Sequence, residues 1–63
     1  MTRDEWYIEV RVALLRQRKN LKDVAEGTNY SLSHISKVAC GCVQSKRVED
    51  AMSNYLGIEK IDR

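Results

Sequence analysis

The chain has 63 residues, 43% of them hydrophobic and 32% charged, and a formal charge of +2. These values predict one folded domain over residues 1–63, not a disordered segment. No apolar run approaches the ~18 residues of a membrane span, and Asp4 and Glu5 near the start, with no long apolar stretch behind them, argue against a secretory leader; a cytoplasmic location without a membrane partner is expected.

The chain lacks proline and any useful strand-like alternation, so an all-α fold of four to five helices is expected. Thr2-Arg3-Asp4-Glu5 fits a capping box, which opens a first helix from about Arg3 to Arg18. Trp6, Val10, Ala13 and Leu14 form its inward stripe, and Ile8, Val12 and Leu15 form a narrower one on the opposite side. Asn20 suits an N-cap, with Asp23 favouring the helix start. Leu21, Val24, Ala25 and Thr28 share one face of a short second helix. Asn29 tolerates left-handed backbone angles and can end it in a tight turn. Tyr30 is expected to fill the corner, and Ser31 to cap a third helix. In that helix Ile35, Val38 and Ala39 point inward; Ser33, Ser36 and Lys37 point outward, with Leu32 and His34 at the margins. Gly41 ends it. A loop, Cys42 to Ser45, leads to a fourth helix from about Lys46, with Val48, Ala51, Met52, Tyr55 and Leu56 at helical spacing and Gly57 at its end. The tail from Ile58 to Arg63 is read as a final turn, with Ile58 and Ile61 docking on the first helix or on a partner.

Two short helices broken at Asn29-Tyr30-Ser31 read as a helix-turn-helix at about residues 21–40, whose second helix suits the major groove of DNA. Charge agrees with that reading. Residues 11–47 hold eight bases against two acids, a net +6, while residues 1–10 and 48–63 each carry −2. A polyanion facing the middle of the chain fits this distribution.

The segment resembles the helix-turn-helix of the lactose-repressor family, through Asp23-Val24-Ala25-Glu26 in the first helix and Ser31, Ile35-Ser36-Lys37-Val38 in the second. Asn29 departs from it, standing where that family usually has glycine. Its headpieces also begin with the motif, whereas here a long helix precedes it. The preceding helix, the following helices and "YLGI" at 55–58 are similar to the phage lambda-repressor and Cro superfamily, including small Ner-like regulators. The resemblance implies a lambda-repressor-like domain and a transcriptional regulator of bacteriophage or mobile-element type.

Candidate roles follow. Ser31, Leu32, Ser33, Ser36 and Lys37 are expected to face DNA bases; the resemblance places Leu32 and Ser33 where the family reads base edges. Leu32 suits a thymine methyl, Ser33 can donate or accept, and Lys37 suits a guanine or a phosphate. Phosphate contacts are expected from Arg18, Lys19, Asn20 and Lys22, from Gln44, Ser45, Lys46 and Arg47, and from His34, which alternatively packs in the corner. Trp6, Tyr7, Tyr30 and Tyr55 read as core or rim. Cys40 and Cys42 read as two reduced thiols, because a bridge across one residue is strained. No metal, cofactor or small-molecule ligand is expected, and no nucleophile–base pair suggests an enzyme.

One such unit offers two or three base contacts, each worth roughly 1–3 kcal/mol of discrimination. Regulators prefer their sites by ~4–10 kcal/mol, so a homodimer is expected, at least on double-stranded DNA. Ile8, Val12, Leu15, Ile58 and Ile61 are its candidate surface. Repression requires only occupancy of a promoter; acids at Glu49, Asp50 and Glu59 leave activation open. The alternatives are an architectural, excisionase-like DNA-bending protein, an antitoxin, or a protein-binding helical module.

Overall fold

A computed structural model describes Met1–Asp62 as four helices: α1 Arg3–Gln17, α2 Leu21–Thr28, α3 Leu32–Ala39 and α4 Lys46–Leu56. The fold is all-α, with no strand among the described residues.

Each boundary has a local cause. At α1, Thr2 Oγ1 accepts the Glu5 N–H at 3.2 Å and Glu5 Oε1 accepts the Thr2 N–H at 3.1 Å. The Thr2 backbone N–H is the chief reason the Glu5 carboxyl sits below its usual range. The helix closes at Arg18, whose φ of 54° is left-handed. The Lys19 N–H then reaches the Leu14 carbonyl at 2.9 Å and the Arg18 N–H reaches Leu15 at 3.3 Å, a Schellman ending without its usual glycine. Asn20 and Asp23 cap α2 reciprocally, at 2.9 Å each way. Asn29 ends α2 at φ 64°. Ser31 Oγ accepts the His34 N–H at 3.1 Å and starts α3. Gly41, at φ 85°, and Gly57, at φ 72°, make the turns after α3 and α4.

The core joins Trp6, Val10 and Ala13 of α1 to Val24 and Ala25 of α2, Ile35 and Val38 of α3, and Val48, Met52 and Leu56 of α4. α2 packs most extensively on α3 and α4, and α1 closes over α4. The helical periodicities predicted this core. They did not predict Glu49 and Ser53, polar residues of α4 that are each 1% exposed. Ser53 Oγ accepts the Trp6 indole N–H at 2.8 Å and donates to the Glu49 carbonyl at 2.9 Å. The Glu49 carboxylate pairs with the Arg3 guanidinium. The start of α1 is thereby fastened to the middle of α4, and Glu49 lies inside the fold, not on an acidic surface.

The tail corrects the expected fifth turn. Residues 58–62 form no helix, because Gly57 reverses the chain and the segment runs back along the start of α1. The Asp62 N–H donates to the Met1 carbonyl at 2.8 Å, and the Asp62 carboxylate lies 3.1 Å from the Met1 amino group. Ile61 is buried and Ile58 half-buried against the core. Both isoleucines pack on their own domain, and Ile61, at 7% exposure, leaves no surface for the self-association expected of it. Arg63 lies outside the described residues.

Gly27 marks a close approach of α2 to α4, since a Cβ there would overlap the Tyr55 ring. Lys19 Nζ lies 4.4 Å from the centroid of that ring, so moving Tyr55 also moves a cation. Gly27→Ala should destabilise the fold by about 1–3 kcal/mol, more than the ~1 kcal/mol that alanine gains in helix propensity. Urea unfolding measures this. A variant as stable as the parent would mean that α4 does not hold the ring there.

Candidate nucleic-acid interface

At 100° per residue, Ser33, Ser36, Lys37 and Cys40 fall on one side of α3, opposite Ile35 and Val38. Ile35 and Val38 are fully buried, which fixes the helix rotation. Ser31, Ser33, Ser36 and Lys37 are exposed, and Leu32 is 47% exposed at the edge of this face. The surface is narrow: short hydroxyls, one aliphatic group and one cation. His34 lies apart from it. Its ring is half-buried and stacks on Tyr30, with centroids 6.1 Å apart and planes 22° from parallel, so it belongs to the turn.

The first group of candidate phosphate ligands spans the end of α1 and the start of α2. Arg18, Asn20 and Lys22 are exposed. Asn20 has committed its side-chain oxygen to the cap, leaving its amide N–H groups to reach outward. Lys19 is half-buried over the Tyr55 ring, which ties its charge to α4. The second group precedes α4. Gln44, Lys46 and Arg47 are exposed; Ser45 is half-buried at the N-cap position, where its hydroxyl makes no cap bond. Asp23 lies within the first group, yet its carboxylate is held by the Asn20 N–H at 2.9 Å.

Two residues of this region carried no DNA-facing role in the sequence. Arg11 of α1 is exposed and lines a groove of about 270 Å³ with Leu14, Leu21 and, from α3, Ser36, Ala39 and Cys40. Its only sequence signal was membership of the basic stretch, since its proximity to α3 depends on how α1 crosses the other helices. Cys40 continues the outer line of α3 by one turn, which the spacing from Ser33 and Ser36 already contained.

The stripe on the far side of α1 stays uncovered. Ile8 is 61% exposed and Leu15 80%, with Val12 half-buried between them. Among the described residues, no group of three side chains is arranged to hold a metal ion, and no helix is long and apolar enough to cross a membrane.

No protein-family model matches the chain, and no curated protein or solved structure does.

Proposed function

We propose that this chain is a sequence-specific regulator of the lambda-repressor-like class that binds double-stranded DNA. In this reading α2, the turn at Asn29–Ser31 and α3 form the helix-turn-helix, and α3 enters the major groove. The observation that carries the reading is the exposed face of α3, with Ser33, Ser36 and Lys37 opposite two fully buried anchors. Short side chains let a helix approach base edges closely. Hydroxyls can donate or accept there, Leu32 meets a thymine methyl, and Lys37 meets a guanine edge or a phosphate. Arg18, Asn20 and Lys22 contact the backbone from one side, and Gln44, Ser45, Lys46 and Arg47 from the other. Arg11 adds a further cation beside α3. Repression by occupancy is the simplest mechanism, and burial of Glu49 removes one of the three acids that a polymerase-contacting patch would use.

The functional unit is a homodimer paired through α1. Apart from Arg3, which pairs with Glu49 inside the domain, that helix carries its acids early, at Asp4, Glu5 and Glu9, and bases later, at Arg11 and Arg16, with Arg18 just beyond. Two antiparallel copies set acids against bases and Ile8 against Leu15, a self-complementary two-fold interface. Ile8→Glu combined with Leu15→Glu should abolish this association while leaving the helix content unchanged, because both side chains are exposed. Sedimentation of parent and variant checks it; equal association would remove α1 as the dimer surface.

Selection of sites from a random duplex pool, at about physiological salt where weak non-specific binding is suppressed, tests the function. Repeated half-sites about one helical turn apart are expected. Bound DNA with no enriched sequence would point to an architectural protein, and no bound DNA to a protein partner.

A further inference from the structure

Cys40 and Cys42 are separated by one residue, yet their sulfurs lie 3.0 Å apart and both residues are exposed. The turn between them brings this about. Gly41 takes φ 85°, the Cys42 N–H bonds the Lys37 carbonyl at 2.9 Å, and the Gly41 N–H bonds the Val38 carbonyl at 3.2 Å. The turn is backed by α1: a Cβ at Gly41 would come within 3.3 Å of the Tyr7 hydroxyl. Cys40 also lies one helical turn beyond Ser36 and Lys37 on the outer line of α3.

We propose that Cys40 and Cys42 are a redox modification site, a dithiol that closes reversibly to an intramolecular disulfide by exchange with a low-molecular-weight disulfide such as oxidised glutathione. The two thiols are unequal. The Cys40 thiol donates to the Cys42 sulfur, and this side-chain contact holds Cys40 below its ordinary range and Cys42 above its own. Either exposed thiolate can attack first, and the exchange balances the same way from each, here from Cys40. Its thiolate displaces one glutathione thiolate and forms a mixed disulfide. Cys42 then loses its proton, attacks the Cys40 sulfur and expels the second glutathione. Two protein thiols become one disulfide, one glutathione disulfide becomes two thiols, and the two cysteine protons end on glutathione. Closing the bond draws the sulfurs to about 2.05 Å, nearly 1 Å nearer than they stand. A bridge across one residue is strained, which makes it readily reduced and suits a reversible site more than a structural one.

Closure also disturbs α3. The Cys40 thiol donates to the Lys37 carbonyl at 3.4 Å, and closure removes this donor from the last turn of α3. The effect on DNA rests on the proposed role of that helix and is read separately from the chemistry.

The test equilibrates the protein in mixtures of reduced and oxidised glutathione, quenches with acid and reads intact mass. The wild type should lose two hydrogens and keep no glutathione, whereas Cys42→Ser should stall as a glutathione adduct on Cys40. Both thiols surviving throughout, glutathione retained on both cysteines, or disulfides between chains would overturn the proposal. Oxidised wild type should bind duplex DNA severalfold more weakly than reduced, and the Cys40→Ser, Cys42→Ser double variant should ignore the redox buffer. Equal DNA affinity of the two forms would overturn the coupling to α3. If the reduced protein binds no DNA, the DNA reading alone fails, and the masses still decide the chemistry.

Discussion

Replacing Arg3 with methionine should lower the unfolding free energy by about 3 kcal/mol, the lower end of what breaking a buried ion pair costs. The lower end applies because the Arg3 side chain is 29% exposed, while Glu49 is 1% exposed. Removing the guanidinium takes from a buried carboxylate a cation that helps to offset its desolvation. Glu49 is the leading cause of the raised Arg3 pKa, which is the same attraction seen from the cation. For a chain of 63 residues a total stability of roughly 3–9 kcal/mol is typical, so the variant should be partly unfolded at moderate temperature. Trp6, the only tryptophan, donates to Ser53 one turn from Glu49, and its fluorescence reports the transition. Arg3→Met with Glu49→Leu should recover most of the loss, because apolar groups of similar volume need no partner. A single variant within 1 kcal/mol of the parent in urea unfolding would show that the pair does not hold α1 to α4.

Lys37→Glu should weaken duplex binding on the order of a hundredfold at about 0.15 M salt. Removing a base or phosphate contact costs roughly 1–3 kcal/mol, and reversing the charge adds repulsion from the phosphates. The fold should be unaffected, since Lys37 is exposed on the side of α3 opposite Ile35 and Val38. Lys60→Glu makes the same change of net charge on the exposed tail and should alter affinity only slightly. If both reversals cost the same, the protein senses net charge alone and α3 has no special place; if Lys37→Glu binds like the parent, α3 does not face the DNA.

Much of the fold was legible because its signals are local. Thr2 with Glu5, Asn20 with Asp23, and Ser31 each cap a helix within three residues. Gly41 and Gly57 take the positive φ that their positions after apolar periodicity suggested. What stayed hidden depends on residues far apart in the chain. Glu49 reads as a surface acid until Arg3 is brought against it, and Ser53 as a neutral helix residue until Trp6 reaches it. Gly27 looks like an ordinary weak point of α2, and only the Tyr55 ring explains it. Ile61 had two possible docking places, and the Met1–Asp62 contacts draw it inward. The outer face of α3 was legible from its period alone, but the closeness of Arg11 to Ser36 and Cys40 was not. The contact of the two cysteine sulfurs was missed for another reason: spacing speaks to the strain of a bridge and not to where a glycine turn puts two thiols.

The most direct test follows backbone amide chemical shifts while a short duplex is added at low salt, where phosphate contacts are strongest. The largest changes are expected at Ser33, Ser36 and Lys37, with smaller ones at Arg18–Lys22 and Gln44–Arg47, and none along Ile8 and Leu15. Changes centred on α1, or none at any DNA concentration, would contradict a DNA-facing α3.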